Sequence, residues 1–402
     1  MKNILMKEEE EEEEEEAAAA SGGELTAGHA WRKGIGDAIK LMSAMLVSVA
    51  VSCGADGERL HLVAGSYADK TAPGIFVYEF NPDNGRVNRV GETSGIANPS
   101  FLALAPDGKH LYSVSETDDD SASVHAFRMD GDRGPIHLNA QLTGGASPCH
   151  VSVEPAGRFL VAANYTGGSI TVFPLAADGS IAPATQKFGF DDSIKSHLHC
   201  TVFSPDGKFL FATDLGKDRI YGFRVTPDDN PRLTLDSSVE LEKGSGPRHL
   251  VFHPSGKYAY VINELAGTVT AMRYDNGSLL PFQYALSDTT SGKGGKGSAD
   301  IRISPDGRFL YSSNRLKADG IAIFSISSSS GALTRIGNQP TGAHPRNFIL
   351  SPDGQFLLVA SRDRNDVETF RRNPDTGLLE NSVQITGISK PVCLVWGIGY
   401  RV

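Results

Sequence analysis

Residues 244–265 read GSGPRHLVFHPSGKYAYVINEL, two short runs of alternating side chains around a break. In the first run Leu250 and Phe252 fall on one side and His249 and Val251 on the other, the period of two of a half-buried strand. Pro254-Ser255-Gly256-Lys257 breaks the alternation as a turn. Proline presets φ at the first central position, and glycine supplies a conformation other residues avoid. The second run, 258–262, ends in Asn263-Glu264. A hairpin folds back on itself, so Arg248 and His249 are expected beside Asn263 and Glu264, at the edge opposite the turn.

The same turn recurs as PDGK at Pro106, PAGR at Pro155, PDGK at Pro205, PDGR at Pro305 and PDGQ at Pro352. With Pro254 included, successive prolines lie 49, 50, 49, 51 and 47 residues apart. A period near fifty with several short strands in each repeat predicts a β-propeller, one four-stranded antiparallel blade per repeat. The first complete repeat supplies strands at 101–105, 111–115, 123–128 and 136–142. Ahead of it, 60–66, 74–80 and 86–93 read as second, third and fourth strands without a first. Behind the last repeat, 391–396 reads as a first strand with nothing after it. Joined, the two ends complete a seventh blade. The expected fold is therefore all-β, a seven-bladed β-propeller whose last blade is closed by the N- and C-terminal strands, which removes the open sheet edge. Helix is expected to be negligible beyond residue 56.

The chain has 402 residues, 40% apolar and 21% charged, enough for a large core, and the repeat makes that core one ring at 57–402. Residues 1–56 differ in kind. Positions 8–16 are all glutamate and 17–20 all alanine, a low-complexity leader expected to be dispensable for folding. Of the formal charge of −10, this leader holds 5 basic and 12 acidic side chains, which leaves 33 against 36 on the ring. A near-neutral ring without a basic stripe argues against nucleic acid as a partner. Arg32, Lys33 and Lys40 precede an apolar stretch at 41–51 that runs into Ser52-Cys53. This resembles a bacterial lipoprotein signal, in which Cys53 would carry the lipid; the alternative is an unstructured leader on a cytoplasmic protein. The stretch is too short to span a bilayer. Cys149, Cys200 and Cys393 fall at or beside first-strand starts and read as small buried fillers, without the spacing of a zinc site.

Registering the repeats on their prolines brings candidate chemistry into columns. Six positions before each proline stand Ser100, Cys149, His199, Arg248, Ala299 and Arg346, followed by Phe101, His150, Cys200, His249, Asp300 and Asn347. The second strands end in Ser115-Glu116, Asn164-Tyr165, Asp214-Leu215, Asn263-Glu264, Asn314-Arg315 and Ser361-Arg362, with Ser66-Tyr67 in the composite blade. Innermost strands line the channel, so these side chains would ring one of its mouths. Strand-end Asn and Asp often hold only their own turn. Strict alternation would send one of the paired first-strand columns to the channel and the other into the sheet, leaving His150 and His249 as ligand or core alike. Arg248 and Arg315 are harder to dismiss, since charged groups are seldom buried unpaired, and Glu264 is the expected partner of Arg248. His253, beside a turn proline, reads as structural. The glycine-rich 292–298 lacks the phosphate-loop spacing, and no GxSxG elbow exists for serine chemistry.

The segments NPSFLALAPDGKHLY, SPCHVSV, VAANYTGGSITVFPL, HLHCTVFSPDGKFLFATDLGKDRIYGF, GSGPRHLVFHPSGKYAYVINEL and SPDGRFLYSSNR together resemble the seven-bladed lactonase family. That family includes propeller-type 6-phosphogluconolactonases and fungal carboxymuconate-lactonizing enzymes. The resemblance runs from about Leu60 to Trp396. It implies hydrolysis of a sugar lactone, with His199, Arg248, Glu264 and Arg315 as catalytic residues. Glu264 or His199 would be general base, and the two arginines would hold the carbonyl oxygen or a phosphate. His150, Asn164, Asp214, His249, Asn314 and Arg346 from the same columns are expected to contact substrate. The expectation is a monomer acting on a small, anionic lactone without cofactor or metal, touching a membrane only through a lipid on Cys53. The family implies the cytosol; a working signal at 41–53 would imply the periplasm or outer membrane. A lactone-forming cycloisomerase, a non-catalytic binding propeller and a Ca²⁺-dependent lactonase built on Glu264, Asn164, Asp214, Asn263 and Asn314 remain open alternatives.

Overall fold

The computed structural model describes residues 59–399 apart from 191–194, 227–230 and 291–295, so the leader at 1–56 and Cys53 lie outside the described residues. Seven antiparallel sheets of four strands make up the rest. In the first complete repeat the strands are Leu102–Leu104, His110–Ser115, Ser123–Arg128 and Ile136–Leu142. Ala105 drops out of the expected first strand because its N–H already closes the turn onto the His110 carbonyl. The one helical turn among the described residues is a 3-10 turn at Gly131–Arg133.

The composite blade forms as the repeat predicts. Arg59–Ser66 pairs with Ile75–Phe80 on one side and with Pro391–Gly399 on the other, setting Leu62 opposite Trp396 and Ala64 opposite Leu394. Pro391–Gly399 is that blade's innermost strand and packs between Pro345–Leu350 and Leu102–Leu104, completing the ring of inner strands. Polar contacts seal this junction. The Trp396 indole N–H donates to the Leu350 carbonyl at 2.6 Å, and Asn347 Oδ1 accepts from the Leu394 amide at 2.7 Å.

The recurring turn has a shared geometry. Gly108, Gly157, Gly207, Gly256, Gly307 and Gly354 all take φ between 68° and 76°, the left-handed region that glycine enters without strain. Where the turn reads Pro-Asp-Gly, the aspartate also holds the loop, as Asp206 Oδ1 accepts from the Ser204 hydroxyl and the Lys208 amide. Blades then lock to one another through a second recurrence. Tyr112, Tyr260 and Tyr311 donate their hydroxyls to the carbonyls of Gly179, Gly331 and Gly377 in the following blade. Outer strands are joined by side-chain amides: Gln186 exchanges two bonds with the Leu233 backbone, and Gln283 does the same with Leu333. Gln384 pairs with Val87 in the same way across the chain closure. The core lies between blades, in clusters such as Phe76, Tyr78, Leu358, Val367 and Leu394. Cys149, Cys200 and Cys393 are buried and unbridged.

If the C-terminal strand is as integral as any other, Leu394→Ala should cost about 3 kcal/mol in chemical denaturation, matching Leu310→Ala in an uninterrupted blade. Both leucines are fully buried. A loss below about 1 kcal/mol for Leu394→Ala alone would show the closure to be peripheral.

Candidate active site

The inner strand Pro247–Phe252 meets its neighbour Tyr258–Asn263 with a slip in register. Pro247 faces Asn263, but His249 already faces Ile262, so Arg248 is an extra, unpaired residue in a β-bulge. A bulge turns two successive side chains away from strict alternation. Arg248 Nη1 consequently lies 3.1 Å from His249 Nε2, so these two neighbours turn the same way. The expected division between channel and sheet interior does not hold for this pair. The same slip occurs at Cys149, His199 and Arg346, and at Val392 in the closing blade.

Arg248 is 2% exposed. Its Nε lies 2.9 Å from Glu264 Oε2, and its Nη1 donates to the Ala299 carbonyl at 2.7 Å. Arg315, from the next blade, brings Nη2 to 3.1 Å from the same Glu264 oxygen. It donates from Nε to the Gly297 carbonyl at 2.6 Å and meets His344 Nε2 through Nη1 at 3.3 Å. His249 is oriented from behind. With Arg248 donating to its Nε2, its Nδ1–H donates to Asp300 Oδ1 at 2.8 Å. Asp300 Oδ2 in turn accepts from Asn347 Nδ2 at 2.7 Å and pairs with Arg302. The His199 ring lies 5.3 Å from that of His249 and 5.6 Å from that of Tyr165. Its Nδ1 is buried and has no hydrogen-bond partner among the described residues.

His199, Arg248, Glu264 and Arg315 therefore share one mouth, with His249 and Arg346. The Arg346 guanidinium lies 5.4 Å over the Tyr67 ring. Burial works against its charge, and the carboxylates of Glu116 and Glu264 work to hold it. His150 sits in the wall, its ring 4.0 Å from Phe101 and 5.6 Å from His249, with Nε2 on Cys200 Sγ at 3.5 Å. Asn164, Asp214 and Asn314 do not join this group. Asn164 Nδ2 donates to Ser169 and Thr171, and Asp214 accepts from the amides of His197, Gly216 and Lys217. Asn314 binds Ser287 and Ser298. Each is the last residue of its second strand and holds its own blade, while the residues after Asn164 and Asn314, Tyr165 and Arg315, reach His199 and Glu264. Asn263 behaves alike, donating to Thr268 and Thr270. His253 ties its turn to the next blade through the Gly307 carbonyl.

Sequence reasoning passed over Tyr67, Glu116 and His344. The first two stood in its columns without a distinguishing mark; His344 lies in a loop at φ 60°, outside any column. Two clefts of about 380 and 900 Å³ hold none of Arg248, Glu264 or Arg315, and Tyr67 lines the larger.

A family model of seven-bladed β-propeller lactonases matches residues 61–396. The chain belongs to this lactonase family. It is 42% identical over 337 residues to the 6-phosphogluconolactonase of Formosa agariphila, covering 80% of this chain and 95% of that protein. To the 6-phosphogluconolactonase of Bacillus subtilis it is 33% identical over 341 residues, covering 82% and 96%. The solved periplasmic gluconolactonase of Pseudomonas aeruginosa is 31% identical with a TM-score of 0.79, covering 85% of this chain and all of that one.

The lactonase mouth keeps its histidines neutral. Burial, then Arg248, holds His199 and His249 well below the usual histidine range. Burial, then Arg302, takes His150 to about 3, and burial, then Arg315, takes His344 to about 3. Burial, then Arg248, pushes the Arg315 guanidinium down to about 9, still charged at neutral pH. An unfolded chain protonates these histidines near its ordinary pKa of about 6.5, whereas the native one resists. The unfolded state thus binds more protons below that pH, and stability falls as pH falls, by up to about 1.4 kcal/mol per pH unit for each such histidine. The urea midpoint should hold between about pH 7 and 8 and drop steadily from about 6.5 to 5, above the range where carboxylates titrate. A midpoint unchanged or higher at pH 5 would contradict neutral burial.

Proposed function

We propose that the protein hydrolyses a sugar δ-lactone to the open-chain acid, with 6-phosphogluconolactone, the substrate named for its relatives, as the leading candidate. The observation that carries this reading is the buried, neutral His199 with an unpartnered Nδ1, beside guanidiniums converging on Glu264. At rest His199 resists protonation, but the negative charge that develops on the lactone oxygen favours an imidazolium beside it, so the neutral ring can take the proton of a water as that water attacks the carbonyl carbon. Arg248 and Arg315 supply N–H donors to the oxyanion that develops as the tetrahedral centre forms. When that centre collapses, the bond from carbonyl carbon to ring oxygen breaks. The ring oxygen leaves as a hydroxyl, taking back the proton from His199, and the new acid ionises in solvent. Glu264 offers Oε2 to both arginines, which suits it to positioning them better than to proton transfer.

Arg248, Arg315 and Arg346 face Glu264 and Glu116, an excess of positive charge that supports an anionic lactone. Under this reading the ring at 57–402 is the whole catalytic unit and works as a monomer, and any membrane attachment comes through Cys53. Sugar lactones open slowly unaided, so rates are read above the spontaneous background. On 6-phosphoglucono-δ-lactone, Arg248→Ala should lose about 10²–10³-fold and His199→Asn about 10²–10⁴-fold in kcat. Both should melt as folded proteins, and chelator should leave the wild-type rate unchanged. Wild-type protein that does not exceed the spontaneous rate, or near-wild-type rates in both variants, would sink the proposal.

A further inference from the structure

Glu116 occupies in its blade the place that Glu264 occupies in another, directly after the second strands His110–Ser115 and Tyr258–Asn263. Three steps round the inner ring separate their blades, through Leu102–Leu104, Pro148–Val153, Leu198–Phe203 and Pro247–Phe252. In a ring of seven, the two carboxylates stand on nearly opposite sides of the mouth. Their company differs. Glu264 is matched by two guanidiniums on one oxygen. Glu116 is held by hydroxyls: the Tyr67 O–H lies 3.1 and 3.0 Å from its two oxygens, and Ser100 Oγ donates to Oε2. The Arg346 guanidinium stacks 5.4 Å over the Tyr67 ring and interacts electrostatically with both carboxylates.

A carboxylate can accept about four hydrogen bonds, and a phenol both donates and accepts. Tyr67 and Ser100 leave part of the Glu116 capacity unused, and the residue is only half-buried. Burial pushes the Tyr67 hydroxyl up to about 12, so it keeps its proton. The result is a fixed set of acceptors with one amphoteric hydroxyl, a match for neighbouring hydroxyls on a sugar ring. A lactone whose carbonyl points to Arg248 and Arg315 would present the opposite edge of its ring to this set.

We infer that Glu116, held by Tyr67 and Ser100, is the binding subsite for the ring hydroxyls of the lactone and makes a polyhydroxylated lactone a better substrate than a bare one. This rests on the lactonase reading above. A hydrogen bond to a charged acceptor contributes on the order of tenfold to hundredfold in affinity. The test is steady-state kinetics of wild type, Glu116→Gln and Tyr67→Phe on glucono-δ-lactone and on δ-valerolactone, which has the same ring without hydroxyls. Glu116→Gln should raise KM for glucono-δ-lactone about tenfold with kcat within about threefold, the mark of lost binding common to ground and transition states. Its preference for glucono-δ-lactone over δ-valerolactone should fall by about tenfold, and Tyr67→Phe should move both quantities the same way by less. Should Glu116→Gln fail to fold, Tyr67→Phe carries the same comparison. A fall in kcat of about a hundredfold on both lactones would make Glu116 catalytic and overturn the inference, as would unchanged KM and preference. Wild-type protein inert towards both lactones but active on 6-phosphoglucono-δ-lactone would overturn the inference, since ring hydroxyls would then not suffice, whereas protein inert towards all three would defeat the lactonase reading itself.

Discussion

One carboxylate oxygen, Glu264 Oε2, stands between two buried guanidiniums, and the mouth is built round that contact. Taking a guanidinium out of water costs several kcal/mol, repaid only when charge and hydrogen bonds replace the lost water. Arg248 finds these in Glu264, in the Ala299 carbonyl and in the lone pair of His249. The partners come from separate places: the far end of the same hairpin, the segment just ahead of the next blade's inner strand, and the adjacent residue brought round by the bulge. Arg315 then joins the cluster to the following blade. The ring that carries these strands is closed by the pairing of Arg59–Ser66 with Pro391–Gly399.

Much of this was legible in the chain. The spacing of Pro-x-Gly turns carried the blade count, and the orphan strands at the two ends carried the closure, because both follow from a repeat that cannot bury its faces alone. The Arg248–Glu264 pair was legible because a hairpin sets strand start beside strand end. The bulge was not, since one extra residue leaves the alternating pattern intact on either side. It is the reason His249 turns the same way as Arg248. Nor could polarity separate Asn164, Asp214 and Asn314, which hold their own blades, from Glu116 and Tyr67, which face the mouth. A polar strand end looks the same in either role.

The relatives include proteins named for phosphorylated and unphosphorylated sugar lactones on closely similar folds. Blade packing therefore does not choose among lactones; the mouth must. Its two sides differ in chemistry. Converging arginines suit an oxyanion or an anionic substituent, whereas the hydroxyl-held Glu116 suits uncharged polar groups. Both sides sit on strand ends of rigid sheets, which keeps donors in place before substrate arrives and avoids reorganisation during the reaction.

The central claim is that Glu264 acts by positioning the arginines and not by moving a proton. A double-mutant cycle on kcat/KM with Arg248→Ala and Glu264→Gln tests it most directly. Residues acting as one unit give strongly non-additive losses, so the double variant should fall short of the product of the two single losses by about tenfold or more. Losses that simply multiply would show the two side chains to act independently and contradict positioning of Arg248 by Glu264.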